Sequence, residues 1–155
     1  MASVAGAGLG CLLAAMGTVV LEPSTRCAID AVTALRLVHD DVGLGARRPL
    51  VGPAVLRSHA LSMLYGDVRR GVLDEKTARA RLEGVATLKV RLLGDRVSRA
   101  TAWRIARDLD ADDTAVAEYV AVAVLQADVL VAGDADVAAA AEGRIPLATY
   151  DDLLR

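Results

Sequence analysis

From Arg26 onward, short apolar runs alternate with longer stretches in which apolar residues recur at helical spacing. Strand-length apolar runs occupy 27–31, 89–93, 129–131 and 145–148. Helical spacing covers 32–38, 54–70, 75–88, 98–109, a stretch from Asp113 or Thr114 to Gln126, and 135–142. Because alternating strands and helices favour a parallel sheet with helices on its faces, the pattern predicts an α/β domain of roughly four strands and six helices.

Two other stretches depart from this alternation. Glycine, proline and two arginines predict a loop at 43–53, with Pro53 in the first turn of the next helix. Residues 1–22 form an apolar N-terminal extension, and 23–155 form the domain. A start codon placed too far upstream, with Met16 as the true first residue, explains the extension as well as a tethered or secreted protein does, because a positively charged signal-peptide start is missing.

Composition limits the core and the compartment. The chain has 155 residues, no Phe and only 3% aromatics, so Ala, Val and Leu must build one domain's core. Cys11 and Cys27 lie among small apolar residues and predict buried thiols in a reducing cytoplasm. A net charge of −2 gives no strongly basic footprint overall. Arginines nevertheless cluster in two stretches: Arg47, Arg48, Arg57, Arg69 and Arg70, then Arg91, Arg96, Arg99, Arg104 and Arg107.

Two aspartates close apolar runs at opposite ends of the chain. Asp30 follows the first predicted strand, and Asp134 follows the run 129–133. Ligands of open α/β sheets bind beyond the carboxyl ends of the strands, and Mg²⁺ prefers oxygen ligands. A shared divalent cation is therefore one interpretation. A helix N-cap for Asp30 and a turn residue after Gly133 for Asp134 are the alternatives.

The chain from Arg26 to Arg155 resembles the PIN domain, and specifically the small VapC-type toxins of bacterial toxin–antitoxin pairs. Three segments carry the resemblance: IDAVTAL at 29–35, PAVLRSHAL at 53–61, and TAVAEYVAVA at 114–123 followed by LQADVLVAGD at 125–134. It implies a three-layer α/β/α fold with a central, mostly parallel sheet of about four strands.

The resemblance also implies a site for Mg²⁺ or Mn²⁺ built from three or four acids. The first and last acids match Asp30 and Asp134, whereas the second falls on His59 and the third on Val116. An imidazole suits Mn²⁺, Fe²⁺ or Zn²⁺ better than Mg²⁺, so His59 either shifts the metal preference or lines an inactive cleft. Thr33 would orient Asp30 or a bound water.

The missing third acid leaves its role open. Asp112 or Asp113 could reach into the cleft, with Asp113 acting as the third catalytic acid, or either could only cap the late helix. Glu118, about one turn further on, is a candidate for supporting the metal ligands.

The leading hypothesis is a divalent-metal-dependent endoribonuclease of the VapC class that hydrolyses RNA phosphodiesters. Arg47, Arg48 and Arg57 would hold the RNA phosphates. The resemblance also implies a cognate antitoxin and a homodimer, without DNA sequence readout and without a membrane partner.

Two rival hypotheses stay open. The first is a degenerate, non-catalytic PIN-like domain that binds RNA or protein, favoured if neither Asp112 nor Asp113 points into the cleft. The second is a receiver-like or phosphatase-like Mg²⁺ domain, which is disfavoured because no lysine follows the strand before Asp134.

Overall fold

The computed structural model describes residues 19–40 and 48–155. Arg47, Cys11 and residues 1–18 of the predicted extension lie outside this part of the chain. In order, the elements are β1 (Cys27–Ile29), α1 (Ala31–Asp40), β2 (Leu50–Pro53), α2 (Leu56–Arg69), α3 (Glu75–Thr87), β3 (Arg91–Leu93), α4 (Arg96–Asp108), α5 (Ala115–Gln126), β4 (Val129–Val131), α6 (Ala135–Ala141) and α7 (Tyr150–Leu154).

The four strands form one parallel sheet in the order β3-β2-β1-β4. Cys27 is paired with Leu50 of β2 on one side and with Val129 of β4 on the other. Helices α1, α2 and α3 pack together as one group, and α5 packs on β1 and β2 while contacting α4 and α6. This is a three-layer α/β/α fold, so the predicted fold class is confirmed. All four carboxyl ends of the strands lie at one edge of the sheet, called here the carboxyl edge.

Two predictions about the strands of the sheet are wrong. The segment Leu50–Pro53 is a central strand rather than part of a loop, and all four of its residues are buried. Its glycine and proline are typical of turns, so the local pattern predicts a loop. A Cβ at Gly52 would lie 2.8 Å from Cδ1 of Leu56, so a larger residue there would displace this buried side chain. Conversely, the predicted strand at 145–148 contributes only a bridge between Leu130 and Leu147, and α7 follows it.

The core is built from small and branched aliphatic residues, with Tyr119 as its largest fully buried side chain. Leu21, which belongs to the predicted extension, is 9% exposed and packs in this core, and Cys27 is a buried free thiol. Helices long and apolar enough to cross a bilayer are absent from the described ranges.

Candidate functional site at the carboxyl edge

Asp30 is a buried carboxylate held by two backbone amides. It follows β1 directly and is 1% exposed. Its Oδ1 accepts a hydrogen bond from the Thr33 amide at 2.8 Å, which caps α1, and its Oδ2 accepts one from the Asp134 amide at 2.8 Å. Hydrogen bonds from amides to a carboxylate are charge-assisted and strong. Asp30 therefore ties the start of α1 to the turn after β4.

Thr33 reinforces the same connection. Its backbone amide, rather than its hydroxyl, orients Asp30. The Thr33 hydroxyl donates to the carbonyl oxygen of Val131 at 3.0 Å, so it is occupied by the last residue of β4. The predicted role of Thr33 in orienting Asp30 thus belongs to its main chain.

Asp134 lies three residues after the end of β4 and has a different environment. Its Oδ1 accepts from the amides of Asp136 at 2.8 Å and Val137 at 3.2 Å, which caps α6. Its Oδ2 accepts no hydrogen bond from the described residues, and the side chain is half-buried. Asp134 therefore combines the capping role with one carboxylate oxygen that remains available to a ligand.

The close approach of the two turns depends on Gly133. A Cβ at this position would lie 2.6 Å from Cγ1 of Val32 and 3.2 Å from the Thr33 amide nitrogen. Any side chain at Gly133 would push the turn after β4 away from α1. Glycine thus allows the Asp134 amide to reach Asp30.

His59 forms a hydrogen bond with a buried tyrosine of the segment 114–123. Nδ1 of His59, on α2, lies 2.8 Å from the hydroxyl of Tyr119 on α5. His59 could bind a metal only through Nε2, in the tautomer whose Nδ1–H donates to Tyr119. A polar atom on an otherwise apolar helix face was the sequence signal for this contact.

The pKa of Tyr119 is affected by acidic residues of the carboxyl edge. Burial is the main cause that raises the pKa of Tyr119, followed by the negative charge of Asp30 and then by Asp134 and Glu118. The amide of Ala31, at the start of α1, acts in the opposite direction. The negative charges of three carboxylates thus act on one buried phenol.

Asp112 and Asp113, offered as replacements for the missing acid, lie in the exposed segment between α4 and α5. Both are exposed and line a surface pocket of about 340 Å³ beside Trp103, between α4 and α5. Oδ1 of Asp113 accepts from the Ala115 amide at 3.0 Å, so this residue serves the start of α5. Val116, where the third acid is expected, packs against the core.

Glu118 is a half-buried carboxylate at the far side of the edge. Partial burial and then the negative charge of Asp113 raise its pKa. Together with Pro53, Gly94 and Arg99 it lines a cavity of about 110 Å³ beyond the ends of β2 and β3. Its carboxylate therefore faces β2 and β3, while Asp30 and Asp134 follow β1 and β4.

The two described arginines that were predicted to hold RNA phosphates, Arg48 and Arg57, are not gathered at this edge. Arg57 is exposed and its guanidinium donates to the Ala86 carbonyl at 3.3 Å. Arg48 precedes β2, is 7% exposed and donates to the Glu22 carbonyl at 2.8 Å. Because the strands are parallel, Arg48 lies at the opposite edge from Asp30, and its predicted contact with RNA beside the cleft is corrected. The prediction for Arg48 is wrong because it treats the segment Leu50–Pro53 as a loop, whereas this segment is β2.

These donors fit only part of a PIN-type metal site. Within residues 19–40 and 48–155, no three His, Cys, Asp or Glu side chains lie close enough together to hold one ion. Mg²⁺ can be bound by one or two carboxylates with waters and phosphate, which Asp30 and Asp134 could supply. The complete set of three or four acids is not formed by the side chains as placed.

Comparison with known proteins gives a structural likeness only. No family model matches the chain, and no curated protein matches it. The fold is similar to the crystal structure of PAE2754 from Pyrobaculum aerophilum, with a TM-score of 0.64 and 22% sequence identity over 84% of this chain and 95% of that chain. At this identity the likeness establishes the three-layer architecture, which agrees with the sheet described above.

Proposed function

We propose that this protein is a degenerate, non-catalytic PIN-like domain of the VapC type, which binds RNA at the carboxyl edge of its sheet. The observation that carries the proposal is the place of the third acid. Val116 packs against the core at that position, and both Asp112 and Asp113 lie exposed on the α4–α5 surface. The edge retains two strand-end aspartates without the acid that the family resemblance adds to them.

The bonding of the remaining side chains supports the same conclusion. Both oxygens of Asp30 are engaged by backbone amides, and Nδ1 of His59 is engaged by Tyr119. Side-chain atoms that already form these hydrogen bonds have fewer lone pairs left to bind a cation. Their arrangement favours a structural role at the edge over the assembly of a hydrolytic centre.

A metal-dependent endoribonuclease is the second candidate, favoured by one specific observation. The negative charges of Asp30, Asp134 and Glu118 all act to raise the pKa of Tyr119, so the three carboxylates lie within electrostatic range of one buried phenol. Mg²⁺ or Mn²⁺ would relieve the repulsion among them. In this proposal the cognate antitoxin, the homodimer and the cytoplasmic location remain predictions from the resemblance.

Cleavage of a mixed RNA pool in Mg²⁺ and then in Mn²⁺ separates the two candidates. The purified protein should not cut in either metal. Val116→Asp should then create metal-dependent cutting, whereas Val116→Asn, of the same shape without the charge, should not. Cutting by the unmodified protein that is lost in Asp134→Asn would overturn the proposal in favour of the ribonuclease.

Asp134→Asn is the appropriate control for that experiment. It can keep the capping oxygen while replacing the free carboxylate oxygen with an amide. Asp30→Asn would instead direct an amide group at a backbone N–H, so a loss of cutting there could reflect the fold rather than the chemistry.

A further inference from the structure

Trp103, the only tryptophan of the chain, is exposed on α4 among several arginines. Arg96, Arg99, Trp103 and Arg107 recur on α4 at intervals of three or four residues and therefore share one face of the helix. All four are exposed, and Trp103 is 70% exposed. We call these four residues the α4 stripe. An indole that is largely exposed on a charged face is available to stack against a partner.

The charge of the stripe is available to a partner. Among the described residues, Arg96 and Arg99 form no ion pair, and Arg107 has only a 4.0 Å contact with its neighbour Asp108. The guanidinium of Arg99 donates to the Gly94 carbonyl at 2.9 Å, which fixes this arginine at the carboxyl edge beside Glu118. The stripe thus starts at the candidate site and runs along the outside of α4.

An arginine row interrupted by an aromatic ring matches single-stranded nucleic acid. Arginines bind phosphates regardless of sequence, and bases stack on exposed aromatic rings. Helix geometry sets Trp103 about 6 Å along the axis from Arg99 and again from Arg107. A base on the indole would therefore have a cation on each side.

We infer that the exposed face of α4 binds single-stranded RNA, with one unpaired base stacked on Trp103 and the flanking phosphates held by the arginines of the α4 stripe. The inference rests on the proposed function, because it extends RNA binding from the carboxyl edge. It assigns the binding energy to α4, whose sequence shows only a cluster of arginines.

The pocket beside Trp103 gives the bound base a chemical preference. Asp112 and Asp113 line it and offer carboxylate oxygens, which accept hydrogen bonds and donate none. Cytosine presents an amino donor where uracil presents a carbonyl oxygen, and carboxylates accept from that amino group. Cytidine oligonucleotides should therefore bind more tightly than uridine oligonucleotides of the same length.

Because the chain has one tryptophan, its fluorescence reports the contact directly. The full-length protein is titrated with a cytidine octanucleotide in EDTA, and affinities of variants are measured by anisotropy of the labelled octanucleotide. We expect quenching of Trp103 and about tenfold weaker binding for Trp103→Leu, since one stacked base contributes about 1–3 kcal/mol. Trp103→Phe should retain most of the affinity.

Matched variants separate stacking and charge from general surface effects. Tyr65 is 65% exposed on α2, so Tyr65→Leu removes an exposed aromatic outside the stripe and should leave binding unchanged. Arg107→Gln should weaken binding and reduce the salt dependence by about one phosphate contact. Arg79→Gln on α3 removes the same charge elsewhere and should not. Asp112→Asn should reduce the preference for cytidine over uridine.

The outcomes distinguish this inference from the proposed function. RNA binding without quenching, or with an unchanged affinity in Trp103→Leu, overturns the inference alone. Quenching together with metal-dependent cleavage overturns the proposed non-catalytic function and leaves the α4 surface standing. If no octanucleotide binds, or if the protein self-associates through Trp103, the surface is not an RNA site.

Discussion

The two strand–aspartate–helix junctions of this protein are alike in sequence and different in chemistry. Asp30 and Asp134 each follow a short buried strand and each caps the next helix. Asp30 is buried with both oxygens bonded to amides, whereas Asp134 is half-buried with Oδ2 unbonded within the described residues. β1 lies between β2 and β4, whereas β4 is the last of the four strands and has only the bridge to Leu147 beyond it. The same motif therefore provides a structural bond at one junction and an available ligand at the other.

Replacing Asp30 should cause the largest effect. Asp30→Ala leaves the amides of Thr33 and Asp134 without acceptors in a buried place, and removes the α1 cap. We expect a loss of about 3 kcal/mol in the free energy of unfolding, since hydrogen bonds to a charged group contribute about 1.5–3 kcal/mol each. Urea denaturation followed by circular dichroism measures it. A loss below about 1 kcal/mol would mean that water satisfies both amides and that the junctions do not differ as described.

Tyr119→Phe should have an intermediate and pH-dependent effect. The variant loses the hydrogen bond to His59, which should cost about 1 kcal/mol at neutral pH. Burial and nearby carboxylates raise the pKa of Tyr119 above its usual value near 10, so the unfolded chain releases this proton first as the pH rises. The stabilisation that the protonated Tyr119 hydroxyl gives to the folded protein is complete below about pH 10 and declines above it.

The pH dependence is tested by urea midpoints of both proteins at about pH 8 and about pH 11. The wild-type protein should lose more stability between these values than Tyr119→Phe does. Equal losses would show that the buried environment of the Tyr119 hydroxyl does not raise its pKa.

Asp134→Asn should have the smallest effect on stability. Asparagine is as good a cap as aspartate, and Oδ1 can keep its bonds to α6, so the change should stay within about 0.5 kcal/mol. Asp134→Ala, which removes the cap, should cost about 1 kcal/mol. Any weak Mn²⁺ binding by the folded protein, measured by calorimetry, should disappear in Asp134→Asn. Retained binding would place the cation elsewhere.

The sequence was sufficient for elements whose signal is local. The strand at 129–131 is confirmed at its predicted bounds, and the helices at α3, α4 and α5 agree within about two residues, which is the usual uncertainty of helix ends. Asp74 caps α3 by accepting a hydrogen bond from the Thr77 amide at 2.8 Å. The apolar spacing that buries one face of each helix is a property of a few consecutive residues, so no distant contact is needed to recognise it.

Only the tertiary structure decided which residues meet. The strand Leu50–Pro53 is formed because β1 and β3 pair with it on both sides, despite a glycine and a proline that favour a turn. The Asp134 amide that bonds Asp30 comes from the other end of the chain, and the Tyr119 hydroxyl that bonds His59 comes from another helix. By itself the sequence determined the α/β class and the two strand-end aspartates. Burial and neighbouring strands then decided that Asp30 supports the fold and Asp134 keeps a free oxygen, because a carboxylate's role depends on which amides and charges surround it.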